Sequence, residues 1–357
     1  MSSIIKKLIA GSIAISAFSC TDGIDPITPV APGEDTAAPA VTISYPLEGT
    51  LVRVKEDVAP ITIQFEATDD IEIQKIDVIL DGTTVTTYSS FIDYRRAVLS
   101  YTYESLANGS HSLEVKTTDM SNKSTSKVVA FEKVEPYKPL YDGETFYLPF
   151  DGDYLELVSI TEATVVGSPS FSDIANTGKS YQGATGAYLT TDVTSLLGDE
   201  FSAAFWYKIN GAPDRSGMLT ISPPDPTVSL PNKRTSGFRL FREGSAANQT
   251  IKLNVGTGAS DSWFDGGAAA SVNPGTAEWI HVAITLSQSK AAVYINGKVA
   301  SSGTFDGVDW TGCDKLSIAS GAPNFIEWGH LSDGSLYDEL RIFNKALTQE
   351  EVQALMQ

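Results

Sequence analysis

From Val41 onward, apolar and polar residues alternate along most of the chain with a period of two, in short runs separated by Gly, Asp, Asn and Pro. Such alternation predicts half-buried strands. Between Val41 and Phe131 the runs read VTISYP, ITIQFEA, IQKIDVILDG, AVLSYTYES, SHSLEVKTTD and KVVAFEK. Asp81-Gly82 and Asn108-Gly109 stand where tight hairpin turns are required. The spacing predicts a small β-sandwich over residues 39–134. VEPYKPLYDGE, with two prolines and a glycine, then reads as a link to a second segment, 143–357.

That second segment carries the runs TFYLPF, KSYQG, AYLTT, EFSAAFWYKI, GMLTIS, GFRLFRE, TIKLNVG, EWIHVAITLS, AAVYING, KVASSGTF, KLSIAS and SLYDELRIF. Twelve short strands of this kind predict a two-sheet jelly roll. In EWIHVAITL, Ile280, Val282, Ile284 and Leu286 share one face, while Trp279, His281, Ala283 and Thr285 share the other. Trp206 and Trp279 are expected in the core. Asn296-Gly297 marks a hairpin. Thr348 and Glu351 form a capping box, with Leu347 and Val352 at the staple positions, so a short helix closes the segment.

The first nineteen residues do not belong to either segment. Lys6 and Lys7 precede an apolar run from Leu8 to Phe18, the layout of a secretory signal and too short to span a bilayer. The run ends in Ala17-Phe18-Ser19-Cys20, which resembles the lipobox of bacterial lipoproteins, with Ala17 where Leu is usual. The resemblance implies acylation at Cys20 and a membrane anchor, with residues 20–38 as a Pro-, Thr- and acid-rich tether. Asp22 resembles the acidic signals of outer-membrane lipoproteins, which implies an exported protein exposed on the cell surface.

Composition narrows the chemistry. The 357 residues include 44 acidic and 25 basic side chains, a formal charge of −19, with no Lys/Arg cluster, which speaks against nucleic-acid partners. Three histidines and two cysteines supply neither a Cys/His zinc site nor a disulfide framework. Cys313 is expected to be a small buried residue.

Two family resemblances follow from particular residues. PAVTISYPLEGT, EATDD and NGSHSLEVKTTD resemble bacterial Ig-like modules, which implies a spacer. EWIHVAITLSQSKAAVYINGKVA, LSIASGA and SLYDELRIFNKALTQEEVQAL, with FYLPFDG and FSAAFWYKI before them, resemble the laminin-G-like, concanavalin A-like jelly roll of bacterial surface proteins. The fold class is thus expected to be all-β, an Ig-like sandwich followed by a jelly roll. The second resemblance implies binding, often of glycans, and assigns His281 to a structural strand.

Glycoside hydrolysis needs two carboxylates about 5 to 9.5 Å apart. No Glu-x-Asp-x-x-Glu pairing occurs within the predicted strands, and neither Asp151 with Asp153 nor Glu350 with Glu351 has the setting of a catalytic pair. Gly-x-Ser-x-Gly and phosphate-binding loops are also missing from the sequence. Asp338 falls in phase with Leu336, Leu340 and Ile342, so it needs backbone N–H donors or a structural calcium ion shared with Asp151. Asp69, Asp70 and Asp119 cap turns or gather a calcium ion. Sugar recognition needs exposed aromatic faces flanked by planar polar groups. Trp263 and Phe264, Trp310, and Phe325 with Trp328 lie in Gly- and Asp-rich loops, and Arg239, Lys252 and Asn254 alternate with apolar neighbours. These eight are the candidate ligand contacts. The expected role is non-catalytic capture of a polysaccharide or oligosaccharide, alongside outer-membrane uptake proteins. Protein adhesion is the alternative, and a glycosidase or lyase the third reading.

Overall fold

The computed structural model describes residues 33–224 and 234–357; the export signal 1–19, Cys20 and most of the tether lie outside the described residues. The chain separates into two compact units, and 131–357 belong entirely to the second.

The strands before residue 134 make one three-stranded and one five-stranded sheet. Ile73–Leu80 lies between Thr83–Tyr88 and Gly109–Asp119, so Ile76 and Val78 meet Leu113 and Val115 in a buried layer. Asp81 and Gly82 adopt φ of 51° and 76°, the left-handed pair that a two-residue hairpin requires. Asp69 accepts the backbone N–H groups of Ile71 and Glu72, and Asp119 accepts that of Lys123. Both therefore act as turn caps.

Apart from a two-stranded ribbon of Leu155–Glu156 with Thr161–Glu162, the later strands form two eight-stranded sheets, called front and back here. The front sheet runs Thr164–Val166, Tyr188–Asp192, Lys315–Ile318, Arg215–Ile221, Phe238–Ser245, Asn248–Gly256 and Asp261–Asp265, with Ser271–Val272 beside the Asn248 strand. The back sheet runs Ser170–Ser172, Ser180–Gln182, Leu336–Phe343, Phe201–Lys208, Ile280–Leu286, Lys290–Ile295 and Lys298–Thr304, with Glu144–Leu148 beside the Leu336 strand. Strands exceed the twelve expected because several are two or three residues long, too short for a period to register. Phe238, Leu240, Leu253 and Val255 of the front sheet share one core with Phe205, Val282, Ile284 and Ile342 of the back sheet. Cys313 lies in that core as a free thiol, pushed up to about 12 by burial. A thiol reagent should therefore leave the native protein unmodified and label it fully in denaturant, which a colorimetric titration reads directly.

The capping box forms as predicted: Thr348 accepts from the Glu351 N–H and Glu351 from the Thr348 N–H, with Leu347 and Val352 buried together. Two expectations need correction. Trp206 and Trp279 are partly exposed rather than core, because Trp206 points away from the inter-sheet layer and Trp279 precedes its strand. Asp338 is out of phase with Leu340 and Ile342: Arg341 pairs with Ala204 but Asp338 with Trp206, so the strand holds one extra residue there. Glu339, at φ 55°, absorbs that bulge. Asp338 consequently lies on the outer face of the back sheet, still fully buried.

One polar cluster sits inside the jelly-roll core. Arg242 Nη2 donates to Asp333 Oδ1 at 2.7 Å, while the Tyr207 and Tyr337 hydroxyls donate to Asp333 Oδ2 at 2.6 and 2.8 Å. Ser335 donates to Oδ1, and Gln249 and the Pro213 carbonyl accept from Arg242 Nη1. A charge pair of zero exposure is tolerable only with every donor and acceptor matched, which this arrangement approaches.

Candidate functional site

Cross-strand register decides which side chains the front sheet turns outward. Thr220, Arg239, Asn254 and Trp263 face one another in a row across four strands, and Phe241, Lys252 and Asp265 form the next row. Residues between them point into the core. Phe264 therefore leaves the candidate set: it is buried in the core and packs edge-on against Phe305.

Over these rows runs the segment 320–334. Its ends are fixed by backbone hydrogen bonds from Gly217 N–H to Leu331 O and from Asp333 N–H to Ala319 O, and by Asp333 in the buried cluster. Gly217 is required at the crossing, since a Cβ there would stand 2.3 Å from the Gly321 nitrogen. The segment lays Phe325 over the Arg239 guanidinium at 4.7 Å and brings Trp328 and His330 beside Phe241. Trp263 rises from the edge strand and stacks on Trp328, with centroids 5.1 Å apart and planes 26° apart. Five rings thus form one cluster: Trp328 touches Trp263, Phe325, Phe241 and His330, and Phe241 also touches Trp263 and His330. Trp263 keeps 48% of its surface exposed, so an indole face is presented to solvent on a rigid support.

Polar groups border these rings. Lys252 Nζ lies 3.0 Å from Glu243 and 2.9 Å from Asp265, and His330 Nε2 is 3.3 Å from Glu243. Hydrogen bonding from Lys252 and from the Gly267 N–H holds the Asp265 carboxyl below its usual range. Burial alone would raise Glu243, but Lys252 and His330 outweigh it, so it too is held low. Burial pushes His330 down, and Glu243 only partly offsets this.

The predicted contacts divide accordingly. Trp263, Trp328, Lys252 and, beneath them, Phe325 gather at one place. Arg239 is there as support: it is buried, donating to Ser222, the Ser236 carbonyl and Asn254, and desolvation lowers it to about 10. Asn254 is likewise buried, donating to Asp261. Trp310 does not join them. Its ring packs on Phe201 and Phe238 and its Nε1 donates to the Gly198 carbonyl, so it closes the core from another loop. Phe241, Glu243, Asp265 and His330 were not singled out from sequence. Phe241 and Glu243 were within reach of it, since they alternate in phase with Arg239.

Asp338 and Asp151 meet the same segment of chain. Asp338 Oδ2 accepts from the Asn176 and Thr177 N–H groups at 2.7 and 2.9 Å, and Asp151 accepts from Lys179 N–H. Backbone donors are therefore part of the compensation anticipated for Asp338, while its Oδ1 has no partner. No group of three or more metal-ligating side chains forms among the described residues. Burial, together with the Glu339 and Asp151 charges, pushes the Asp338 carboxyl up to about 7 against those two donors. The folded state then retains a proton that the unfolded chain has released, so this group costs stability as pH rises from about 4 to about 7. Asp338→Asn should remove that loss, gaining on the order of 4 kcal/mol relative to wild type above pH 7 and nothing near pH 4 in urea unfolding. Calcium that raised the wild-type melting temperature and not that of the variant would place an ion there.

Residues 182–353 match the family model described as the concanavalin A-like lectin/glucanases superfamily, of the laminin-G type, and residues 39–115 match that of a bacterial Ig domain. Among solved structures, the chain is similar to domain 4 of AbnA, a GH43 extracellular arabinanase from Geobacillus stearothermophilus, in complex with arabinotriose, at 22% identity. That match covers 60% of this chain and 98% of that one, with a TM-score of 0.46. It is also similar to the botulinum neurotoxin serotype C1 binding domain, at 16% identity over 60% of this chain and 52% of that one, with a TM-score of 0.42. The match thus spans about half of that binding domain. No curated protein matches the sequence. The chain joins a bacterial Ig domain to a concanavalin A-like jelly-roll domain of the laminin-G type.

Proposed function

We propose that the jelly-roll domain binds glycan without cleaving it, and that Trp263 on Trp328 is the platform against which a sugar ring stacks. The observation that carries this reading is a half-exposed indole stacked on Trp328, edge-on to Phe241 and bordered by Lys252, Glu243 and Asp265. Pyranose and furanose rings present C–H faces to an aromatic plane and hydroxyls to groups at its edge. Hydrolysis would need one carboxyl able to hold a proton at neutral pH. Glu243 and Asp265 share one lysine and are both held low, which favours binding over catalysis at this face.

Outside the jelly roll, the proposal places this activity on a surface lipoprotein anchored through Cys20, with the Ig domain as spacer and with polysaccharide capture for uptake as its use. The signal-like 1–19 segment and the cysteine that follows it support this. Loss of acyl-analogue labelling in Cys20→Ala tests the anchor. Protein adhesion is the second reading, favoured by Ile326 and Leu331, which are exposed in the same 320–334 segment. Affinity electrophoresis through gels containing a panel of polysaccharides separates the two. Retardation by at least one glycan supports sugar binding, and mobility unchanged by all of them, with capture of a protein partner, favours adhesion.

A further inference from the structure

The outer face of the back sheet holds a cavity of about 460 Å³ that takes no part in the aromatic platform. Its lining includes Trp206, His281, Glu339, Arg341, Asn176 and Thr177, with Met356 from just beyond the terminal helix. Three features set it apart from an incidental groove. First, His281 is 98% buried and its Nδ1 has no hydrogen-bond partner. An orphaned ring nitrogen at that depth costs stability unless something else pairs with it. The residue is fixed where it stands: its backbone N–H donates to Asn296 Oδ1 at 2.9 Å, its carbonyl accepts from Asn296 N–H at 2.8 Å, and its ring meets Trp206 edge-on at 5.3 Å. Second, the bulge in the Leu336–Phe343 strand puts Glu339 into left-handed backbone, a strained conformation that places a carboxylate on this cavity. Third, Arg341 is already committed, donating to Glu144, Glu339 and Tyr137 and lying 3.6 Å from the Tyr147 ring centroid.

These features select a ligand chemistry. With its positive charge matched by two carboxylates, Arg341 offers little to an anion, and burial keeps His281 neutral at physiological pH by lowering it to about 4. What the lining offers is an aromatic surface at Trp206 and Tyr141, an amide at Asn176, a hydroxyl at Thr177, an imidazole ring at His281 and the Glu339 carboxylate, which Tyr147 and Arg341 hold in place. That set suits a small neutral molecule rich in hydroxyl groups, and the volume lies in the range of small-ligand sites. We propose that this cavity is a second saccharide site, distinct from the front-sheet platform, which takes a neutral monosaccharide or the end unit of a disaccharide against the Trp206 and His281 rings.

Saturation-transfer NMR with D-glucose, D-galactose, L-arabinose and cellobiose as probes tests it on wild type and three variants: Trp263→Ala alone, which silences the platform, and Trp263→Ala combined with His281→Gln or with Thr177→Trp. Thr177 is exposed on the rim, so a tryptophan there obstructs the opening without disturbing the core. Transfer to at least one probe is expected in wild type and in Trp263→Ala, with affinity reduced about tenfold or more in the other two, as one reshapes the floor of the cavity and the other blocks its opening. If the combination with His281→Gln does not fold, that with Thr177→Trp decides. No transfer to any probe, transfer undiminished in the Thr177→Trp combination, or transfer lost in Trp263→Ala alone would each overturn the second site. The last result would leave the front-sheet platform standing.

Discussion

Asp333→Ala is expected to destabilise the jelly-roll domain by about 3 to 5 kcal/mol, a fall in melting temperature on the order of 10 °C. The reason is the state in which it leaves its neighbours. Arg242 would remain buried at zero exposure without its carboxylate, and the Tyr207 and Tyr337 hydroxyls would each lose the acceptor they now use. Removing one member of a buried pair costs far more than removing both, because the survivor keeps its desolvation penalty. Arg242→Met combined with Asp333→Leu should therefore lose much less than the sum of the two single changes, as a double-mutant cycle in urea measures. The same substitution should loosen the 320–334 segment, since Asp333 secures its C-terminal end. Trp328 and Phe325 depend on that segment for their positions, so stability and the aromatic platform are linked through one carboxylate.

The second large effect is on binding. Trp263→Ala and Trp328→Ala are each expected to weaken binding of a gel-retarding glycan at least tenfold, as about 1.4 kcal/mol or more of stacking is lost. Trp310→Phe should bind as wild type does, because that indole faces Phe201 and Phe238. Circular dichroism should show all three variants folded, Trp263 most securely, since its exposed ring contributes least to packing.

Much of the architecture was legible because period-two alternation and turn chemistry are local properties. Asn296-Gly297, at φ of 50° and 69°, and the Thr348–Glu351 box behave as their residue types dictate. The site was legible only in part. Trp263 and Trp328 could be picked out as loop-borne indoles, but so could Trp310, and nothing local to either sequence says which loop folds back over a sheet. Phe264 was misplaced because Asp261–Asp265 is a strand, in which neighbours of Trp263 must point the other way. Asp338 was given the wrong face because a single bulge reverses phase, and its mark is a left-handed Glu339 that no composition rule signals. Arg239 was found by alternation, yet its burial under Phe325 depends on the 320–334 segment, which is distant in sequence.

The central claim is that sugar is held on the Trp263–Trp328 platform. Indole N–H resonances of the protein's five tryptophans, followed by nitrogen-15 NMR during titration with a glycan that retards the protein, test this most directly. The platform predicts large shifts at Trp263 and Trp328 and none at Trp310. Saturable binding that moves other indoles while Trp263 and Trp328 stay fixed would contradict it.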